Sequence, residues 1–175
     1  MGKWNQDMTV VLASASPRRT ELLEQAGIRH LVIPSQCEEH IRSEVPQEVV
    51  MELSAQKAED VYTRYEKEHP GEEFLVIGSD TVVAADGEIL GKPKDEEDAF
   101  RMISLLQGET HQVYTGVTLL AKAEGGAKRN TFFECSDVKV YPMDEEEIRD
   151  YIATKEPMDK AGAYGIQGGF AVYIR

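Results

Sequence analysis

The sequence predicts an α/β fold, a mixed twisted sheet flanked by helices, and three observations predict it. In the first half, short apolar runs alternate with amphipathic stretches, the pattern of strand and helix in turn. Midway, Asp86-Gly87 separates two apolar segments, which signals a hairpin. Later, two further strand-like runs, Val113 to Leu120 and Phe132 to Tyr141, follow one another across Glu124-Gly125-Gly126. With 175 residues and 41% hydrophobic content, residues 1–175 are read as a single domain, of one body or of two closely packed lobes, with enough apolar side chains for a core.

Each element has a local reason. Val10-Val11-Leu12-Ala13 reads as a buried strand. Ser16 then suits an N-cap and Pro17 the first helical position, opening an amphipathic helix with apolar Leu22, Leu23 and Ala26. Leu31-Val32-Ile33 is a short strand ended by Pro34, followed by an acidic loop with Glu38, Glu39 and His40. Pro46 stands near the start of a second helix running to about Tyr65, with Val50, Leu53, Val61 and Tyr65 on its inner stripe and His69-Pro70-Gly71 as its breaker. Phe74 to Ala84 is a strongly apolar strand. Asp95 caps a third helix that ends at Gly108. Asp144 and Glu147 form a capping box, with Met143 and Ile148 as a hydrophobic staple, for a fourth helix reaching about Thr154. A Gly-rich segment from Glu156 to Gly169 leads into a last expected strand, Phe170 to Ile174.

Charge narrows the function classes. Lys+Arg 19 against Asp+Glu 32 gives −13 at pH 7, a field that repels a nucleic-acid backbone and an anionic membrane surface. A small polyanion then needs a locally basic pocket, with a metal ion as helper. Cys37 and Cys135 form no zinc-spaced set and suit a reducing compartment. Residues 1–8 are polar and carry no signal-peptide stretch, Gln6 stands where a myristoylation motif wants Ser or Thr, and no apolar run approaches the ~18 residues of a membrane helix. The chain is therefore read as cytoplasmic.

Several residues look chemical. Ser16-Pro17-Arg18-Arg19 places two arginines in a helix's first turn, where the backbone favours acids. An anion held between amides and guanidinium groups accounts for that; so does a pair of solvated arginines on a surface helix. Asp80 lies inside Leu75-Val76-Ile77-Gly78-Ser79-Asp80-Thr81-Val82-Val83, and a carboxylate in a buried strand costs several kcal/mol unless it is paired or binds a metal. The plain alternative is a satisfied structural Asp or a bulge. Gly78 beside it reads as room for something to come close. Lys57 falls on the inner stripe with Leu53 and Val61, either to meet a phosphate or to snorkel to water. Lys92 sits in Gly91-Lys92-Pro93, a stiff loop, though most loop lysines are simply solvated. Glu38 offers a second carboxylate for a hard cation, or is an ordinary acidic loop residue. The run from Glu156 to Gly168 mixes charges with small residues as a ligand-lining loop does, and Gln167 in it can read the edge of a base; a helix end followed by a Gly-rich turn has the same composition.

Taken in order, Ser14-Ala15-Ser16-Pro17-Arg18-Arg19, Glu38, Ser54-Ala55-Gln56-Lys57-Ala58, Gly78-Ser79-Asp80-Thr81, Gly91-Lys92-Pro93 and Glu156 to Gly168 resemble the Maf family over nearly the whole chain. These are nucleoside triphosphate pyrophosphatases once described as septum-formation inhibitors. The resemblance implies a two-lobed fold similar to inosine triphosphate pyrophosphatases, with the site in a central cleft. It implies metal-dependent hydrolysis of a nucleoside triphosphate to monophosphate and pyrophosphate, limiting non-standard nucleotides. It makes Asp80 the catalytic carboxylate, Glu38 and Asp80 the ligands of Mg²⁺ or Mn²⁺, and Ser14, Arg18, Lys57 and Lys92 the phosphate grip, with Glu156, Asp159 and Lys160 closing the site. Arg18, Thr81 and Gln167 match positions tied to base choice in the subgroup acting on dTTP, UTP and modified pyrimidines, which this chain resembles. A homodimer is open. A nucleotide-binding regulator of cell division is the competing reading. Family members continue past the last strand into a Val-Val-Gly-Leu-Pro-like segment and a final helix; this chain stops at Arg175, so that segment is expected to be missing, with consequences for stability and dimer formation more than for the site.

Overall fold

A computed structural model describes residues 8–175; residues 1–7, and with them the reading of Gln6, lie outside the described residues. The β-branched run at the start forms β1 (Thr9–Leu12), which pairs in parallel with β2 (Leu31–Val32) and with β3 (Phe74–Ala85). Val11 stands opposite Leu31 on one side and Val76 on the other. Between the strands lie α1 (Pro17–Gln25) and α2 (Pro46–Glu68), each with proline in its first turn. β3 folds back on β4 (Glu88–Leu90) as an antiparallel hairpin across Asp86 and Gly87, whose φ values of 49° and 77° are the left-handed pair such a turn requires. Then come α3 (Glu96–Leu106), β5 (Thr110–Ala123), β6 (Gly126–Lys139) and α4 (Glu145–Ala153). The strands lie in the order β2-β1-β3-β5-β6, with β4 added on β3, so the sheet is mixed, as the sequence predicts.

The chain divides into two compact units: residues up to Asp80 with Gly116–Phe133, and Thr81–Thr115 with Glu134–Arg175. Each has its own core. In the first, Val11, Ala13, Ala58, Val61, Tyr65, Phe74, Val76 and Leu120 pack together. The predicted inner stripe of α2 is buried, Val50, Leu53, Val61 and Tyr65 included. Two glycines let α2 approach the sheet closely. A Cβ at Gly78 would strike the Ser54 carbonyl oxygen and Ala58, and one at Gly116 the Val50 carbonyl. What comes close to Gly78 is therefore a helix of the protein itself, not a ligand.

In the second unit, Leu90, Ile103, Leu106, Val140, Ile148 and Phe170 anchor the core. Asp95 caps α3 by accepting from the Asp98 amide at 2.8 Å, and the Asp144–Glu147 capping box on α4 closes with two bonds of 2.9 Å. Met143 and Ile148 are both buried beside it. Three expectations need correction. Leu22 of α1 is 53% exposed and no residue of that helix is buried, because β1 and β3 find their cover in α2. Ser16 is the N-cap but its hydroxyl makes no cap bond; the Ser14 hydroxyl accepts the Ser16 amide instead, at 3.1 Å. The last segment is a 3₁₀ turn, Gly169–Tyr173, with a single bridge from Ile174 to Val140, because the Phe170 ring turns inward against Tyr151 and Tyr164.

His111 is buried in this second core, its Nε2 2.6 Å from the Tyr164 hydroxyl and its Nδ1 without a hydrogen-bond partner. Burial lowers its pKa from 6.5 to about 4, and burial likewise raises that of Tyr164. A histidine held neutral in the folded state contributes stability above pH 6.5 that is lost as pH falls from there to about 4, because the unfolded chain binds the proton first. The whole loss is about 3 kcal/mol. Chemical denaturation between pH 8 and pH 4 (the ordinary titration range of histidine and below) should show a steeper decline for the wild type than for His111→Leu, and equal slopes would refute the assignment.

Candidate active site

The first unit gathers four charged side chains around one point. β3 carries Asp80 in its middle, two residues past Gly78 and two before the buried Val82. Since Gly78 admits α2 between Ser54 and Ala58, Lys57 reaches the strand and donates a short hydrogen bond to Asp80 Oδ1. The two side chains are only 17% and 14% exposed. From the loop before α2, Glu39 Oε1 meets the same ammonium at 2.9 Å. From α1, Arg19 donates to the Ser14 hydroxyl at 3.0 Å and its charge acts on Asp80.

Burial sets the electrostatics. It pushes Asp80 above the usual carboxylate range, and Glu39 adds to that, against the pull of Lys57 and Arg19. Burial alone would lower the Lys57 pKa, but the attraction of Asp80, then of Glu39, outweighs it and keeps the ammonium charged. Burial also lowers the pKa of Arg19, Asp80 opposes, and the guanidinium of Arg18 is near enough to lower it further. Two crowded cations in the first turn of a helix that has no acid there make a place where an anion is stabilised.

Ser14, Arg18, Lys57 and Asp80 thus share one unit, and Ser14 and Lys57 hold two of its charged groups. Glu38 lies on the wall of a groove of about 650 Å³ with His40, Gln56, Asp60, Arg64 and Arg129, while its neighbour Glu39 turns to Lys57. In the second unit, Lys92 is exposed on its loop, and Thr81 shares a 3.1 Å hydrogen bond with Thr115. Glu156 accepts from the Tyr151 hydroxyl at 3.1 Å and from the Gly169 amide at 2.9 Å. It therefore fastens its own Gly-rich turn, and a Cβ at Gly168 would collide with its carboxylate. Lys160 donates to the Glu156 carbonyl and to Asp159, each at 2.7 Å. Gln167 is exposed. Sequence reading names both arginines and both glutamates but gives individual site roles to Arg18 and Glu38, not to Arg19 and Glu39. Each is the second of a like pair, and only the geometry shows which member faces Asp80.

Among the described residues no group of three or more His, Cys, Asp or Glu side chains is arranged around a metal position. Two carboxylates, Asp80 and Glu39, do face one another across a single cationic centre, the Lys57 ammonium. Hard oxygens in that number suit Mg²⁺ or Mn²⁺, which take one or two carboxylates and complete their shell with water and phosphate oxygens. No helix of the described residues is long and apolar enough to cross a membrane.

A mixed α/β fold with these groups has the parts that chemistry on a phosphorylated substrate needs. More particularly, the chain belongs to the Maf-like protein family, which matches residues 9–175. It is 53% identical over 174 residues to the dTTP/UTP pyrophosphatase of Agathobacter rectalis, covering 95% of this chain and 85% of that protein. It is 51% identical to the dTTP/UTP pyrophosphatase of Lachnoclostridium phytofermentans, over 94% of this chain and 82% of that protein. Among solved structures, a nucleoside-triphosphatase / dITP/XTP pyrophosphatase from Mycobacterium abscessus aligns at a TM-score of 0.37 and 14% identity, over 76% of this chain and 73% of that one.

Proposed function

We propose that this chain hydrolyses dTTP, UTP and modified pyrimidine nucleoside triphosphates to the monophosphate and pyrophosphate. The observation that carries the mechanism is Asp80: a buried carboxylate with a raised pKa, flanked by Lys57 and within the field of Arg19. A base whose pKa moves toward the working pH gains in proton-transfer efficiency. Asp80 takes a proton from a water whose oxygen attacks phosphorus, while the bond to the bridging oxygen breaks and pyrophosphate leaves. Little covalent help is needed, because the barrier lies in positioning and in the charge developing on phosphate oxygens. Lys57, Arg18 and Arg19 supply cationic groups, and Ser14 orients Arg19. Mg²⁺ or Mn²⁺, held by Asp80 with Glu38 or Glu39, would neutralise further charge on those oxygens.

For the second unit the assignment rests on family positions: Lys92, Glu156, Asp159 and Lys160 to substrate, Thr81 and Gln167 to the base, with Arg18 contributing to base choice from the first. We place the protein in the cytoplasm, where its free Cys37 and Cys135 remain reduced. The net charge of −13 disfavours nucleic-acid polymers and anionic membranes as partners. Pyrophosphate release from a panel of nucleoside triphosphates is the test. dTTP and UTP are expected to lead the panel with Mg²⁺ or Mn²⁺, and a chelator to abolish release. A folded chain inert toward all of them would support a binding role, such as a regulator of division, instead.

A further inference from the structure

One face of α2 carries a polar residue at every fourth position: Glu52, Gln56, Asp60 and Arg64. Such residues stack one above another along a helix. This row lies off the buried stripe, and it holds the loop from Pro34 to Arg42. Arg64 donates to the Pro34 carbonyl at 2.9 Å. Asp60 accepts from the Gln36 amide at 2.8 Å and the Ser35 hydroxyl at 2.9 Å. Glu52 accepts from the Arg42 amide at 3.1 Å. Gln56 engages both backbone groups of one residue: its Oε1 accepts from the His40 amide at 2.9 Å and its Nε2 donates to the His40 carbonyl at 2.6 Å. The loop therefore runs antiparallel to the helix, rung by rung.

The rung at Gln56 stands beside the site. His40 follows Glu39 in the loop as Lys57 follows Gln56 in the helix, so the clasp on His40 sets where Glu39 meets Lys57. Glu39 is 48% exposed, and an ion pair at such exposure gains little against water and side-chain freedom. Its place on the ammonium must therefore be fixed by the backbone that carries it.

We propose that Gln56 is a positioning residue: its amide locks His40 and so keeps Glu39 on Lys57, across from Asp80. The catalytic consequence rests on the pyrophosphatase reading; the clasp does not. The test uses the full chain and compares Gln56→Ala, Gln56→Glu, Glu39→Gln and the Gln56→Ala/Glu39→Gln double variant. Glutamate at 56 still accepts from His40 but cannot donate to its carbonyl, so it should not rescue. Both Gln56 variants are expected to lower kcat about tenfold with KM for dTTP changed less than about twofold, as misplacement of a site group does. Because Gln56 acts through Glu39, the double variant should be no slower than Glu39→Gln alone. Without any substrate, amide hydrogen exchange at His40 should quicken in Gln56→Ala while β1 stays protected and Tm moves less than about 2 °C. Wild-type kcat in Gln56→Ala, or a double variant that loses the product of the two single effects, overturns the positioning role. Unchanged exchange at His40 overturns the clasp itself. A wild type that turns over no nucleotide while its Gln56→Ala form opens at His40 upholds the clasp and defeats the pyrophosphatase reading.

Discussion

Asp80→Asn is expected to abolish turnover of dTTP and UTP while leaving the chain folded and able to bind nucleotide. Removing a general base costs about 10²- to 10⁴-fold in rate. Stability should move little, and the reason is specific. A buried pair that loses one partner normally leaves an orphaned charge. Here Lys57 keeps Glu39 at 2.9 Å, and asparagine still offers it an acceptor. The pH dependence gives the sign. Because the folded-state pKa of Asp80 is raised, chiefly by burial, its contribution to stability is full below the ordinary carboxylate pKa and is lost as pH rises through the folded value. Asn cannot ionise, so the variant escapes that loss. Thermal melts at neutral pH should show Asp80→Asn as stable as the wild type or more so. Loss of turnover together with loss of the fold would show Asp80 to be structural. A regulator that works without hydrolysis would keep its effect in the variant.

Much of the fold, in both units, was legible in the sequence because its signals are local. The apolar runs at Val10 and Phe74, the prolines at 17 and 46, and the Asp144–Glu147 box are set by neighbours a few residues away, and they produce the expected elements. Asp80 was legible for a different reason: a charge inside an apolar strand is costly wherever the strand ends up. What was hidden depends on pairing over distance. Nothing in Arg18-Arg19 or Glu38-Glu39 says which of two like residues turns to the Lys57–Asp80 pair, because that is decided by how α1 and the loop before α2 pack, not by neighbours in the sequence. The final segment misled for a related reason. Phe170 to Ile174 has strand composition, but Gly168 and Gly169 are fastened to Glu156, and the Phe170 ring is drawn into a cluster of tyrosines, so tertiary packing overrides propensity. The polar row on α2 has the right spacing in plain view, yet a solvated helix face has the same spacing. Only its partner loop distinguishes the two.

Gly78→Ala is expected to damage activity out of proportion to stability. The backbone at Gly78 has no left-handed φ, so alanine fits the local conformation; the obstacle is the Ser54 carbonyl and Ala58, both part of α2. A backbone group cannot swing aside as a side-chain tip can, so the helix itself must move away from the strand. Overpacking of this kind costs about 1–3 kcal/mol. Lys57 lies between the two obstructing residues, and Asp80 two residues beyond the glycine, so the displacement falls on the pair that the mechanism uses. A shift of about 1 Å at reacting groups can cost about 10²-fold in rate. Gly116→Ala is the control. It meets the same helix through the Val50 carbonyl, two turns from Lys57, and should cost similar stability with a smaller fall in kcat. Both variants would be measured for Tm and for kcat at a temperature where each is fully folded. If they lose activity equally at equal stability, the closeness of α2 at Gly78 serves packing alone. If Gly78→Ala is much the slower, the absence of one methyl group is what brings Lys57 onto Asp80.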